Sequence, residues 1–219
     1  MAATLVVVRH GDAEGNRDHR FLGHRDVPLT DSGRHQAKAI ADRLADQDIT
    51  RVVSSDLTRC VETVMPLAER LDLDVVTDGR LREINNGEWT GLLPEEIARK
   101  WPSLWGDYVR GSDVLRPSGE RWSDVAHRVV EAVNGMLAGE STVVIGTHSG
   151  PTLTLALWAA GIDSTGNIFR SRLGGLHNAS ITVIGPGPRL VSFNDVGHLG
   201  ELPDQRLPFS PVALEGPSA

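Results

Sequence analysis

Short apolar runs alternate with segments of helical periodicity along most of this chain, and this alternation restricts the fold more than any other feature. The runs at 4–8, 51–55, 74–77 and 141–146 are short and rich in valine, so they predict strands. In the segments between them, apolar residues recur every three or four positions, as in an amphipathic helix. Strands that alternate with helices build a mainly parallel sheet between helical layers. The pattern therefore predicts an α/β fold, a three-layer α/β/α sandwich around a mainly parallel sheet.

The helical segments carry local signals of their own. Thr30 is the predicted N-cap of the first helix, and Pro66 should kink the second helix, because proline lacks the N–H that an interior helical position donates. Trp89 is expected to pack in the core, as aromatic residues usually do. In chain order, the remaining predictions are an irregular segment at 85–118, helices at 119–137 and 151–161, and strands at 179–185 and 189–194.

The length of 219 residues suits one large domain, and we expect a single domain over 1–198 followed by a proline-rich tail over 199–219. With 40% hydrophobic and 23% charged residues, the composition is that of a soluble globular protein. No apolar run approaches the roughly 20 residues of a membrane helix. The apolar start is too short for a signal peptide and lacks the basic residues that precede its apolar core. The sequence therefore predicts a cytoplasmic protein with no membrane partner.

The charge and the cysteine content argue against further classes of partner and of metal site. The formal net charge of −7 disfavours nucleic acid as a partner, although it allows a local cationic pocket. Cys60 is the only cysteine, so the chain has no internal disulfide and no thiolate metal cluster. The acidic residues do not cluster as metal ligands either, and we expect neither a metal nor another cofactor.

Polar residues follow several of the predicted strands directly. The first strand runs into Arg9, His10 and Gly11, and the fourth leads to His148 and Ser149. Arg59 follows the second strand in the first turn of its helix. Taken singly, each is more often an ordinary strand end or turn, but ligands of such sheets bind beyond the carboxyl ends of the strands. Their coincidence predicts an anion pocket.

Six ordered segments within residues 4–195 resemble the histidine phosphatase, or phosphoglycerate mutase-like, superfamily. They read RHGDAEGN, RFLGHRDVPLTDSGRHQA, SSDLTRCVET, LREINNGEWTG, PSGERWSDVAHRV and THSG. Two positions depart from the family pattern. Ser149 stands where the family commonly has glycine, and His24 stands where it often has tryptophan. Neither departure removes a catalytic group.

The resemblance implies roles for individual residues. His10 would be the nucleophile that becomes phosphorylated, and Glu83 would be the proton donor. The other catalytic residues implied are Arg9, Arg59 and His148, and the implied substrate or phosphate contacts are Gly11, Asn16, Leu22, Gly23 and Ser149.

Elementary chemistry agrees with these roles. Neighbouring arginines disfavour the imidazolium form of a histidine and so favour its nucleophilic form. An arginine fork matches two phosphate oxygens, and His148, if protonated, adds a donor. A carboxylic acid such as Glu83 can supply the proton that a leaving alkoxide needs.

These roles predict a metal-independent phosphomonoesterase that hydrolyses a small phosphorylated metabolite through a phosphohistidine intermediate. The alternative is a cofactor-dependent phosphoglycerate mutase, but family mutases typically carry a longer insertion between the acid and the second histidine. A third hypothesis is an inactive protein that binds phosphorylated ligands. The physiological phosphomonoester stays open, as does the oligomeric state, since homodimers are common in the family.

Overall fold

Four parallel strands form the centre and one edge of a single mixed sheet. The strands are β1 (Thr4–Arg9), β2 (Ile49–Ser54), β3 (Val75–Thr77), β4 (Thr142–Thr147), β5 (Ile181–Gly185) and β6 (Arg189–Asp195). Their order across the sheet is β3-β2-β4-β1-β5-β6, with β5 antiparallel to β1 and β6 antiparallel to β5. This computed structural model describes residues 3–137, 141–162, 166–171, 173 and 175–200. Residues 201–219, most of the predicted proline-rich tail, lie outside the described residues.

Helices cover both faces of the sheet. In the described part of the chain they are α1 (Asp31–Leu44), α2 (Thr58–Leu71), α3 (Pro94–Lys100), α4 (Pro102–Arg110), α5 (Trp122–Asn134) and α6 (Ser149–Ala159). Successive side chains of a strand point to opposite faces, and β1 shows this directly. Val6 and Val8 of β1 belong to the core formed with α1 and α2, whereas Leu5 and Val7 belong to the core formed with α5 and α6. The predicted three-layer α/β/α sandwich is confirmed.

The predicted irregular segment 85–118 is wrong in part, because it contains α3 and α4. Each of these helices has a proline at its first position, where the missing N–H is not needed. They are seven and nine residues long, too short to show a clear helical period. They pack on an aromatic cluster that includes Phe21, Tyr108 and Trp89, and the last is fully buried as predicted.

The other boundaries lie near their predicted positions. Thr30 caps α1 by accepting a hydrogen bond from Gly33 N at 3.1 Å, as predicted. Pro66 lies inside α2, which continues past it to Leu71. The helix predicted at 119–137 is shorter at both ends, and α6 begins two residues before its predicted start.

Among the described residues, no helix combines the length and the apolar character needed to cross a membrane.

Candidate active site

Two neighbouring central strands, β1 and β4, bring two histidines together at their carboxyl ends. Arg9, the last residue of β1, pairs in register with Thr147, the last residue of β4. His10 and His148 follow directly, and their ring centroids lie 5.2 Å apart at an interplanar angle of 67°. The His10 backbone N–H donates to Thr147 O at 2.8 Å, which fixes the chain at the point where it leaves the sheet.

One hydrogen bond determines which nitrogen of His10 carries the proton. Nδ1 of the His10 ring lies 2.8 Å from Gly11 O. A carbonyl oxygen can only accept, so Nδ1 must donate, and in the neutral ring the lone pair is then on Nε2. Burial holds the pKa of His10 well below its usual value, and the positive charges of Arg59 and Arg9 lower it further. His10 is therefore a neutral imidazole with Nε2 free to act as a nucleophile.

Two buried arginines stand beside His10. Arg59 donates from Nη1 to Arg25 O at 2.8 Å and from Nη2 to Gly23 O at 3.0 Å, while Arg9 donates from Nη1 to Leu176 O. Burial lowers the pKa of Arg9 to about 10, with a smaller decrease caused by Arg59. Among the described residues, neither arginine forms a salt bridge. The positive charge of the two arginines is therefore not neutralised by a paired carboxylate, and it is available to a bound anion.

Glu83 is held by backbone groups from two elements. Its Oε2 accepts from Gly150 N at 3.2 Å, at the first turn of α6, and its Oε1 accepts from Ile84 N at 2.9 Å. The backbone oxygen of Glu83 accepts from His24 Nε2 at 2.8 Å and from Arg128 Nη2 at 2.9 Å. The Glu83 carboxylate is thus fixed at the positive end of α6, and its backbone is fixed by two side chains.

A cavity of about 450 Å³ opens above these groups. It is lined by charged, polar, apolar and aromatic residues, among them Arg9, His10, Arg59, Glu83, Tyr108, Arg116, Trp122 and Phe169. Among the described residues, no three His, Cys, Asp or Glu side chains are grouped as ligands for a metal ion. The neutral His10, the cations of Arg9 and Arg59 and the Glu83 carboxylate together suit transfer of a phosphoryl group.

The sequence matches the model of the histidine phosphatase superfamily (branch 1) over residues 5–196. The chain belongs to this superfamily. Phosphoserine phosphatase 1 of Hydrogenobacter thermophilus is 31% identical over 204 residues, covering 90% of this chain and 94% of that protein. Phosphoglycerate mutase-like protein 4 of Arabidopsis thaliana is 36% identical over 155 residues, covering 68% of this chain and 67% of that protein.

A solved structure agrees with the sequence relatives. The mycobacterial glucosyl-3-phosphoglycerate phosphatase in complex with VO3 has a TM-score of 0.77 and 32% identity, and the match covers 87% of this chain and 98% of that one. The protein is therefore a phosphatase of the histidine phosphatase superfamily.

The phosphatase brings most of its predicted site residues to the cavity wall. Those that line it are Arg9, His10, Asn16, Leu22, Gly23, Arg59, Glu83 and Ser149. Gly11 and His148 do not line the cavity. The Gly11 N–H already donates to Thr63 Oγ1 at 3.0 Å, so the structure does not offer it to a ligand. Gly11 contributes through its carbonyl oxygen, which holds His10.

His148 of the phosphatase is fully buried. Its Nε2 lies 2.9 Å from Ser55 Oγ and 3.3 Å from Cys60 Sγ. Burial holds the pKa of His148 well below its usual value, and Arg59 and His10 lower it further. His148 is neutral in this state and offers one ring N–H rather than a positive charge. Burial also raises the pKa of Cys60 to about 12, so its thiol stays protonated.

Two residues of the phosphatase site, Asn178 and Arg116, were not predicted from the sequence. Asn178 donates from Nδ2 to His10 O at 3.2 Å and to Gly11 O at 3.1 Å, and its Oδ1 accepts from Asn16 Nδ2 at 3.3 Å. It lies just before β5, where no sequence pattern marks it. Arg116 lines the cavity from the segment predicted to be irregular, and its position next to PSGER was the available signal.

Proposed function

We propose that this phosphatase is a metal-independent phosphomonoesterase that acts on a small phosphorylated metabolite through a phosphohistidine at His10. The observation that carries the proposal is the His10 tautomer. With Nδ1 committed to Gly11 O, the free lone pair is on Nε2 of a ring that lines the cavity. Arg9 and Arg59 supply the positive charge that a phosphate dianion requires.

In the first step, the phosphate binds beside Arg9 and Arg59 with its phosphorus in line with His10 Nε2. The N–P bond forms as the ester P–O bond breaks, and negative charge spreads over the three non-bridging oxygens. The leaving alkoxide takes a proton from the carboxylic acid of Glu83. The products of this step are the free alcohol, phosphohistidine and the Glu83 carboxylate.

In the second step, water attacks the phosphorus on the side that the alcohol has left. Glu83, now a carboxylate, accepts a proton from this water as the new P–O bond forms. The N–P bond breaks, its electron pair returns to Nε2, and inorganic phosphate leaves. The tautomer that Gly11 O imposes is restored at the same time.

The names of the relatives support a small substrate. Phosphoserine, phosphoglycerate and glucosyl-3-phosphoglycerate are all phosphorylated small carboxylic acids or their glycosides. The cavity of about 450 Å³ is in the range of sites for small molecules. A phosphoglycerate mutase is the second candidate, favoured by the name of the Arabidopsis relative. The two differ in whether water or a second alcohol accepts the phosphoryl group.

The test is turnover of p-nitrophenyl phosphate and of a panel of metabolite phosphates after exhaustive treatment with EDTA. We expect release of inorganic phosphate to survive chelation, and we expect His10→Ala, the control, to release none. Loss of activity that Mg²⁺ or Mn²⁺ restores would overturn metal independence. Conversion of 3-phosphoglycerate to 2-phosphoglycerate without release of phosphate would identify a mutase, and absence of any turnover would leave only a binding protein.

A further inference from the structure

Arg116 is a third buried arginine at the cavity, and the mechanism above does not use it. Its side chain lines the cavity, yet only 1% of the residue is exposed. Nη1 donates to Glu120 O at 3.1 Å, whereas Nε and Nη2 are buried and have no hydrogen-bond partner. Among the described residues, Arg116 forms no salt bridge.

The two unpartnered nitrogens form one edge of the guanidinium group. The N–H bonds of Nε and Nη2 point in parallel on that edge, with a spacing that matches the two oxygens of a carboxylate. Leaving charged donors buried without partners is unfavourable, and an anion placed against them offsets this. The unused edge of Arg116 is therefore suited to a planar anion with two oxygens.

Aromatic rings hold Arg116 in place. Its Cζ atom lies 5.0 Å from the centroid of the Trp122 ring and 5.4 Å from the centroids of the Trp89 and Tyr108 rings. Cation–π contacts at this range favour the charged guanidinium. The rings also restrict its movement, so the edge is presented without a large loss of side-chain entropy when a ligand binds.

The location of Arg116 indicates which part of a substrate it would meet. Trp122, which lies against the Arg116 guanidinium, also packs on Gly150, whose N–H holds the Glu83 carboxylate. Arg116 is thus on the Glu83 side of the cavity. Because Glu83 is the proposed proton donor, this is the side on which the leaving alcohol would lie.

We propose that Arg116 determines substrate specificity by binding a carboxylate carried by the leaving group of the phosphomonoester. This inference rests on the proposed function, because it uses Glu83 to locate the leaving group. It adds a substrate class to that function: phosphate esters of small hydroxy acids, with the phosphate at Arg9 and Arg59 and the carboxylate at Arg116.

The test compares matched substrates with and without the carboxylate in the unmodified enzyme. The pairs are 3-phosphoglycerate with glycerol 3-phosphate, and phosphoserine with phosphoethanolamine. We expect kcat/KM to favour the carboxylate in at least one pair by ~10-fold or more, since an unpaired buried donor penalises the analogue that lacks its partner. If p-nitrophenyl phosphate is hydrolysed but neither pair shows the preference, the role of Arg116 is wrong and the proposed function stands. If no phosphate ester is hydrolysed, the proposed function fails as well.

Variants then assign the preference to Arg116. Arg116→Met keeps the length and the contact with the aromatic rings but removes the fork, and it should reduce the preference at least ~10-fold. Arg116→Lys keeps the charge and should retain only part of the preference for the carboxylate. This second variant keeps the test decisive if the methionine variant does not fold. Arg110→Met is the control, because the Arg110 side chain is 70% exposed and pairs with Asp107 at the surface. An equal fall for both members of a pair, in either Arg116 variant, would contradict the proposal.

Discussion

The two ring nitrogens of His10 have different tasks. Nδ1 holds its proton against Gly11 O, and Nε2 therefore keeps the lone pair of the neutral ring. Arg59 and Arg9 stabilise this state because they oppose protonation of the ring. Removing either cation would therefore weaken phosphate binding and also raise the fraction of His10 that is protonated and not nucleophilic.

Glu83 is predicted to act as a general acid, and its effect must then depend on the leaving group. Glu83→Gln should lower turnover of an alkyl phosphate by ~10²–10⁴-fold, because the amide cannot donate a proton to the basic alkoxide. It should lower turnover of p-nitrophenyl phosphate far less, since p-nitrophenolate leaves without a proton. Single-turnover rates of phosphorylation with both substrates measure this. Equal losses would mean that the carboxylate only shapes the pocket, and Glu88→Gln on the same loop is the matched control.

The position of a single residue was predictable from the sequence where its neighbours in the chain decide that position. Arg9 and His10 lie at the end of a strand that the apolar run marks clearly, so the local sequence predicts their position at the carboxyl end of β1. Asn178 and Arg116 lie at the site because of contacts with residues that are distant in sequence, and no periodic pattern of the sequence predicts these contacts. Gly11 was expected to contact substrate or phosphate, but its N–H is already donated to Thr63 of α2.

The start of α6 is the element on which the proposed acid depends. A Cβ atom at Gly150 would overlap Glu83 Oε1 and lie 2.5 Å from Trp122 Cζ3. Gly150→Ala should therefore displace the carboxylate, although alanine favours a helix more than glycine does. We expect kcat with an alkyl phosphate to fall at least ~10-fold, a smaller effect than that of removing the acid.

The matched control for this prediction is Gly135→Ala. Gly135 ends α5 with a φ of −66°, and a Cβ atom there meets only Ala132 O at 3.6 Å. Normal turnover in both variants would show that the approach of Gly150 to Glu83 does not matter for catalysis.

The helices α3 and α4 show where element prediction fails. The long helices α1, α2 and α5 have apolar residues on one face for three or more turns, and their positions follow from that period. The helices α3 and α4 are shorter and are stabilised by aromatic residues such as Phe21 that are distant in sequence. Their packing is a tertiary contact, so a local pattern does not reveal it.

The stability of the whole molecule should fall in mild acid. In the unfolded chain a histidine has a pKa near ~6.5, whereas burial keeps the pKa values of His10 and His148 well below that in the folded state. Below about pH 6.5 the unfolded state binds protons that the folded state does not, so stability rises with pH in this window. Each histidine contributes a slope of up to ~1.4 kcal/mol per pH unit.

Urea unfolding between about pH 5 and about pH 7 measures that slope. His148→Gln should have a shallower slope than the unmodified protein, because it removes one of the two buried histidines. The same slope in both proteins would contradict the assignment of buried, neutral histidines. The sandwich itself was predictable from the sequence, because alternating strands and helices admit few other arrangements.

The most direct test of the whole account is whether His10 carries a phosphoryl group during turnover. Rapid quench with radiolabelled p-nitrophenyl phosphate, whose leaving group needs no proton, favours accumulation of the intermediate. We predict a phosphoryl group that is labile in acid and stable in base, located on His10 by peptide mass spectrometry and absent from His10→Ala. An equal yield of the same adduct in His10→Ala would contradict the account, because the nucleophile would then be another residue.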